Sequence, residues 1–143
     1  MKIQKCRILL IAASIISLVL GIMIYSFLRS GTVYHSVLKR IGIVFPDYSK
    51  IDFPLGIFLR YYFTDMLWLF SLQTSILAIT LPNMKKACRY SVELLFFAMI
   101  YELFQYVHII SGTGDIIDIL MYIIATLSVV LLYNNLIISG GKK

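Results

Sequence analysis

Four carboxyl groups stand among apolar residues: Asp65, Glu102, Asp115 and Asp118, with Gln105 close beside them. Glu102 and Gln105 are three apart, as are Asp115 and Asp118, which puts each pair on one face of a helix. Clustered carboxyl groups of this kind do one of three things. They hold a divalent cation through oxygen ligands, they supply a general acid or base, or they hydrogen-bond between helices and fix the packing. Four acids beside a single cation, Arg60, carry more negative charge than packing needs, because like charges so close cannot all ionise cheaply unless a cation is bound or some are protonated. On the site reading, Asp65, Glu102 and Asp118 are the expected catalytic groups. Arg60, Trp68, Gln105 and Asp115 are then the expected substrate contacts, and a divalent cation is the cofactor the carboxylates suggest.

Other chemistry is poorly represented. The chain has no Cys and His spacing suited to zinc, no glycine-rich phosphate loop and no Ser, His and Asp order that suggests acyl transfer. Glu93 follows Arg89 by one helical turn and reads as its ion-pair partner. His35 and His108 read as solvated or hydrogen-bonded side chains. Cys6 and Cys88 fall at helix ends on the expected cytoplasmic side, where thiols stay reduced.

The elements that must position the acids are set by composition. Of 143 residues, 60% are hydrophobic and 14% charged, an apolar excess that a water-soluble core cannot absorb. A bilayer core of ~30 Å needs about 20 apolar residues per helix. Four stretches meet that need, at about 8–28, 57–81, 91–110 and 116–138, so the expectation is a single all-α membrane domain of four transmembrane helices. The first follows Lys2, Lys5 and Arg7 and is too long for the apolar region of a signal peptide, so it reads as an uncleaved anchor. Pro82 ends the second span, and Asp115 stands where it can cap the fourth. In the external loop 29–56, Val33, Tyr34, Val37, Leu38 and Ile41 recur at helical spacing opposite Lys39 and Arg40, which predicts a short amphipathic helix on the membrane interface.

The net charge of +6 reflects short basic clusters between apolar runs, which act as topology signals and contacts to lipid headgroups and form no nucleic-acid surface. Eight of the thirteen cations fall at the two termini and around Lys85, Lys86 and Arg89, so both termini are expected in the cytoplasm. At 1.5 Å of rise per residue, Asp65 then lies roughly 12 Å below the outer end of its span, Glu102 at about the same depth, and Asp115 and Asp118 at and just below the rim. The acids thus converge from three helices on one layer. Tyr61, Tyr62 and Tyr106 read as an aromatic belt near the interface.

These residues also carry a family resemblance. Glu102-Leu103-Phe104-Gln105 followed by Gly112-Thr113-Gly114-Asp115-Ile116-Ile117-Asp118 resembles the E-x-x-Q and R-x-x-D-x-x-D core of VanZ-like membrane proteins, and Thr64-Asp65-Met66-Leu67-Trp68 is similar to their P-D-x-L-W segment. The resemblance covers about residues 60–125. It departs at Gly112, where the family has Arg, at Tyr122, where it has Asn, and at Ala125, where it has Gly. It implies a protein of the bacterial cytoplasmic membrane, in a family associated with low-level glycopeptide resistance. Two functions follow as expectations: a cell-envelope protein whose acidic pocket binds or acts on a lipid-linked precursor, or a non-catalytic membrane protein whose carboxyl groups fix helix packing or a partner interface.

Overall fold

A computed structural model describes residues 2–28, 33–42, 54–111 and 114–141. The described residues form helices and turns only. They are α1 (Lys2–Leu28), α2 (Val33–Arg40), α3 (Pro54–Phe58), a π-helical turn (Leu59–Phe63), α4 (Thr64–Thr80), α5 (Met84–Tyr106) and α6 (Ile116–Gly141). Much of the expected external loop 29–56, residues 29–32 and 43–53, lies outside the described residues.

Three helical segments are long and apolar enough to cross a membrane: Ile3–Leu28, Leu55–Thr80 and Ile116–Ile138. The chain therefore has the make-up of a membrane protein. The expected third span is not among them. Its helix, α5, begins at Met84 and so takes in Lys85, Lys86 and Arg89, and Glu93, Glu102 and Gln105 lower its mean hydropathy further. α5 also stops at Tyr106, four residues before the expected Ile110. There His108 adopts a left-handed φ of 59° and the amides of Ile109 and Ile110 fold back onto the Phe104 carbonyl, a closure usually made with glycine.

α1 packs along α4, α4 against α6, and α6 against α5. The α1–α4 seam is built from small polar residues. Ser14 Oγ lies 3.1 Å from Ser71 Oγ and 2.6 Å from Ser75 Oγ, and Ser71 Oγ donates to the Ser14 carbonyl at 2.9 Å. Small side chains let two helices approach closely where hydrocarbon surroundings supply no hydrophobic drive, and the hydroxyls add bonds across the contact.

The ends of the bundle differ in character. The apolar core lies at one end, where Leu10 meets Leu77, Ala78, Ala87, Val129 and Tyr133. These residues come from the start of α1, the end of α4, the start of α5 and the later part of α6, so the beginning of α1, the end of α6 and the 81–83 turn share that end. The turn is well determined: Leu81 takes a left-handed φ of 40° and donates to the Leu77 carbonyl, and Asn83 caps α5 by accepting the Lys86 amide at 3.0 Å. Arg89 and Glu93 pair at 2.7 Å, as their spacing implies. Midway along, the buried Gln73 donates to the Ser91 carbonyl (3.1 Å) and Thr126 Oγ1 (2.9 Å), joining α4, α5 and α6. The opposite end holds the acids.

Candidate functional site

Two local features turn the chain so that its acids face inward. The first is the π-helical turn, whose wider winding shifts the register of the residues before α4; Thr64 Oγ1 donates to the Leu59 carbonyl at 3.1 Å within it. The second is the entry to α6. Asp115 caps it, with Oδ1 accepting the Ile117 amide at 3.0 Å, while the Asp115 amide itself donates to Glu102 Oε1 at 2.8 Å. Gly114 is required there: an added Cβ would meet the Tyr106 amide nitrogen at 2.4 Å and its Cα at 2.6 Å.

The result is a pocket of about 440 Å³ between the π-helical turn, α4, α5 and α6. All four acids line it, Asp65, Glu102, Asp115 and Asp118, and so does Gln105. Four tyrosines, Tyr61, Tyr62, Tyr101 and Tyr122, make up most of the remaining wall. Tyr62 donates to Asp115 Oδ2 at 3.2 Å, and Tyr122 reaches Glu102 Oε2 at 3.4 Å. Glu102 and Asp118 are 4% and 7% exposed. The Asp118 carboxyl shares the pocket with Asp65, Glu102 and Asp115, and its Oδ1 is buried with no hydrogen-bond partner among the described residues. A volume of this size suits a small-molecule group or a headgroup.

Two of the residues expected at the site lie elsewhere. Arg60 is buried but does not line the pocket; its guanidinium carbon is 5.7 Å from the Tyr61 ring centroid, and its Nε and Nη2 have no hydrogen-bond partner among the described residues. Arg60 and Tyr61, as neighbours on a helical turn, point to different faces, so the cation expected to balance the acids is turned away from their shared space. Trp68 is 43% exposed and sits against α1, where Gly21 leaves room beside its indole nitrogen. Among the described residues the pocket lining contains no Lys, Arg or His. Among the described residues no three Asp, Glu, His or Cys side chains come together closely enough to hold a metal ion, so the acids surround a space and do not form a ligand set as they stand.

The tyrosines are the functional candidates that sequence reasoning passed over. Tyr122 follows Asp118 by four and Tyr62 precedes Asp65 by three, spacings that put each on the face of its acid. Tyr101 is next to Glu102 and offered no comparable signal. Chemically, the arrangement presents acceptor oxygens and aromatic rings to whatever enters. It repels anions and attracts cations, with ammonium groups favoured by both the carboxylates and the ring faces. Comparison with protein-family models, curated proteins and solved structures finds no match for this chain.

Proposed function

We propose that this chain is a VanZ-like membrane protein of the bacterial cell envelope whose acidic pocket binds the ammonium-bearing part of a membrane amphiphile. The observation that carries the reading is the buried Asp118 Oδ1, without a hydrogen-bond partner among the described residues, in a pocket that four acids and no described cationic side chain line. A buried acceptor of this kind costs free energy unless a donor arrives, and an ammonium group supplies both donor and charge. A lipid-linked envelope precursor would therefore enter through an amino-bearing portion, since its phosphates would face four carboxylates.

The reading includes α5 as a fourth span, with both termini in the cytoplasm and the pocket in the outer half of the membrane. At 23 residues α5 is roughly 34 Å long, enough for a bilayer core. Of its two acids, Glu102 is buried inward and Glu93 is paired with Arg89, while Val92, Phe96, Phe97 and Leu103 are exposed to the surroundings. α2 rests on the outer interface in this arrangement: Val37 is exposed on a helix that ends in Lys39 and Arg40, and Ile41 is exposed just after it.

A second reading has its own support. Glu102 accepts from the Asp115 amide and from Tyr122, so it also ties α5 to α6 as a packing lock would. Saturable binding of hexylammonium to the protein in phosphatidylcholine nanodiscs separates the two. The expected result is binding that D118N weakens at least tenfold and that butyl phosphate does not compete, with the same variant failing to restore glycopeptide resistance in deletion cells. Equal hexylammonium binding by wild type and a folded D118N protein would leave only the packing lock.

A further inference from the structure

A second cavity adjoins the acidic pocket and differs from it in character. It measures about 550 Å³ and is walled chiefly by Leu103, Tyr106, Ile116 and Ile119, on the outward side of the seam between α5 and α6. The two cavities share Glu102 and Asp115. Their common boundary is thus the hydrogen bond from the Asp115 amide to Glu102 Oε1, with an acid-lined space on one side and an apolar groove on the other. Leu103, Tyr106 and Ile116 are strongly exposed, so the groove opens to the hydrocarbon or interfacial region around the bundle.

From this juxtaposition we infer that the ligand is a cationic amphiphile whose amine occupies the acidic pocket while its hydrocarbon chain lies in the α5–α6 groove, with no phosphate between the two. The inference rests on the pocket reading given above and narrows its ligand to an amphiphile without phosphate, in place of a lipid-linked precursor. A headgroup in the pocket and a chain in the groove must be joined across Glu102 and Asp115. A phosphate at that crossing would meet two carboxyl groups with no cationic side chain among the described residues of either lining, at a Coulombic cost in a partly dehydrated place. A short uncharged link meets no such penalty. Chain and surroundings are both apolar, so moving the chain from bilayer to groove gains little free energy. Affinity therefore resides in the amine, and the groove fixes where the chain runs.

The test is photocrosslinking of the full chain in nanodiscs with dodecylammonium bearing a diazirine at mid-chain. Crosslinks are expected at Leu103, Ile116 and Ile119 well above those at lipid-facing Leu127 and Leu131. Ile119→Trp, or Leu103→Trp should the first variant fold poorly, is expected to reduce them about tenfold while hexylammonium binding persists. Excess dodecylammonium should suppress the crosslinks, and lysophosphatidylethanolamine at the same concentration should not. Crosslinks spread evenly over the apolar faces, with hexylammonium still bound, would overturn the groove and leave the pocket intact. Equal competition by lysophosphatidylethanolamine would overturn the phosphate-free link. Loss of hexylammonium binding by the wild-type protein would overturn the pocket reading beneath both.

Discussion

Replacing Glu102 by Gln or by Ala separates charge from hydrogen bonding at the centre of the pocket. In the native chain Oε1 accepts the Asp115 amide at 2.8 Å and Oε2 receives the Tyr122 hydroxyl at 3.4 Å, on a side chain only 4% exposed. Gln keeps the volume and the acceptor for Asp115, and the Tyr122 hydroxyl can rotate to accept from the new amide. The loss in stability is then the difference between charge-assisted and neutral bonds, about 1 kcal/mol or less. Ala leaves the Asp115 amide and Tyr122 hydroxyl short of a partner, at about 1–3 kcal/mol for each buried group. A unit charge about 4 Å from a bound ammonium at an effective dielectric of 20 contributes about 4 kcal/mol at most, and the three remaining acids and nearby water reduce that. A loss of about 1–3 kcal/mol, about fivefold to over a hundredfold in affinity, is the expected effect of either variant on ammonium binding. Thermal unfolding in detergent and hexylammonium titration in nanodiscs provide the two readouts. E102Q should melt near wild type and bind weakly, and E102A should lose both. An E102Q protein that binds hexylammonium as tightly as wild type would refute the reasoning, as would one destabilised as far as E102A.

The remaining predictions concern the elements that hold the pocket. Gly114→Ala should force the start of α6 away from Tyr106, lowering the melting temperature through a steric clash worth about 1–3 kcal/mol and weakening ammonium binding; unchanged melting and binding would contradict the close approach. Gln73→Leu removes a buried, unpartnered Oε1 together with two donated bonds, so its melting should stay within about 1 kcal/mol of wild type, whereas Gln73→Glu, which loses those donors, should be clearly less stable. Ser71→Leu should prise α1 from α4 by overpacking, at about 1–3 kcal/mol, with less effect on the pocket because α1 does not line it. Ser111→Cys should react with a membrane-impermeant maleimide added outside intact cells, and exclusive reaction from the cytoplasmic side would reverse the orientation proposed for the bundle.

Rise per residue was enough to gather Asp65, Glu102, Gln105, Asp115 and Asp118 into one layer, because depth along a helix depends on counting alone. Azimuth was harder to read. Trp68 follows Asp65 by three and was expected beside it, but the slot next to Gly21 seats the indole on α1. Arg60 was expected to balance the acids, and the π-helical turn it belongs to is a change of backbone register that no residue type announces. Tyr62 and Tyr122 carry a usable signal in their spacing from Asp65 and Asp118, but a tyrosine near a membrane interface fits an aromatic belt equally well. The end of α5 escaped notice because His108, not glycine, supplies the left-handed residue. Gln73 was legible in principle, since an amide in an apolar span must find partners among neighbouring helices.

The account stands on the claim that the acids and tyrosines surround a cation-binding space. The most direct measurement is the solid-state NMR dipolar coupling between a ¹⁵N-labelled dodecylammonium and the ¹³C-labelled Asp and Glu carboxyls of the protein in bilayers. Couplings to Asp118 and Glu102 corresponding to direct contact, absent for Asp118 in D118N, are the predicted result. An ammonium nitrogen coupled to no carboxyl carbon, at ligand concentrations that saturate the protein, would contradict it.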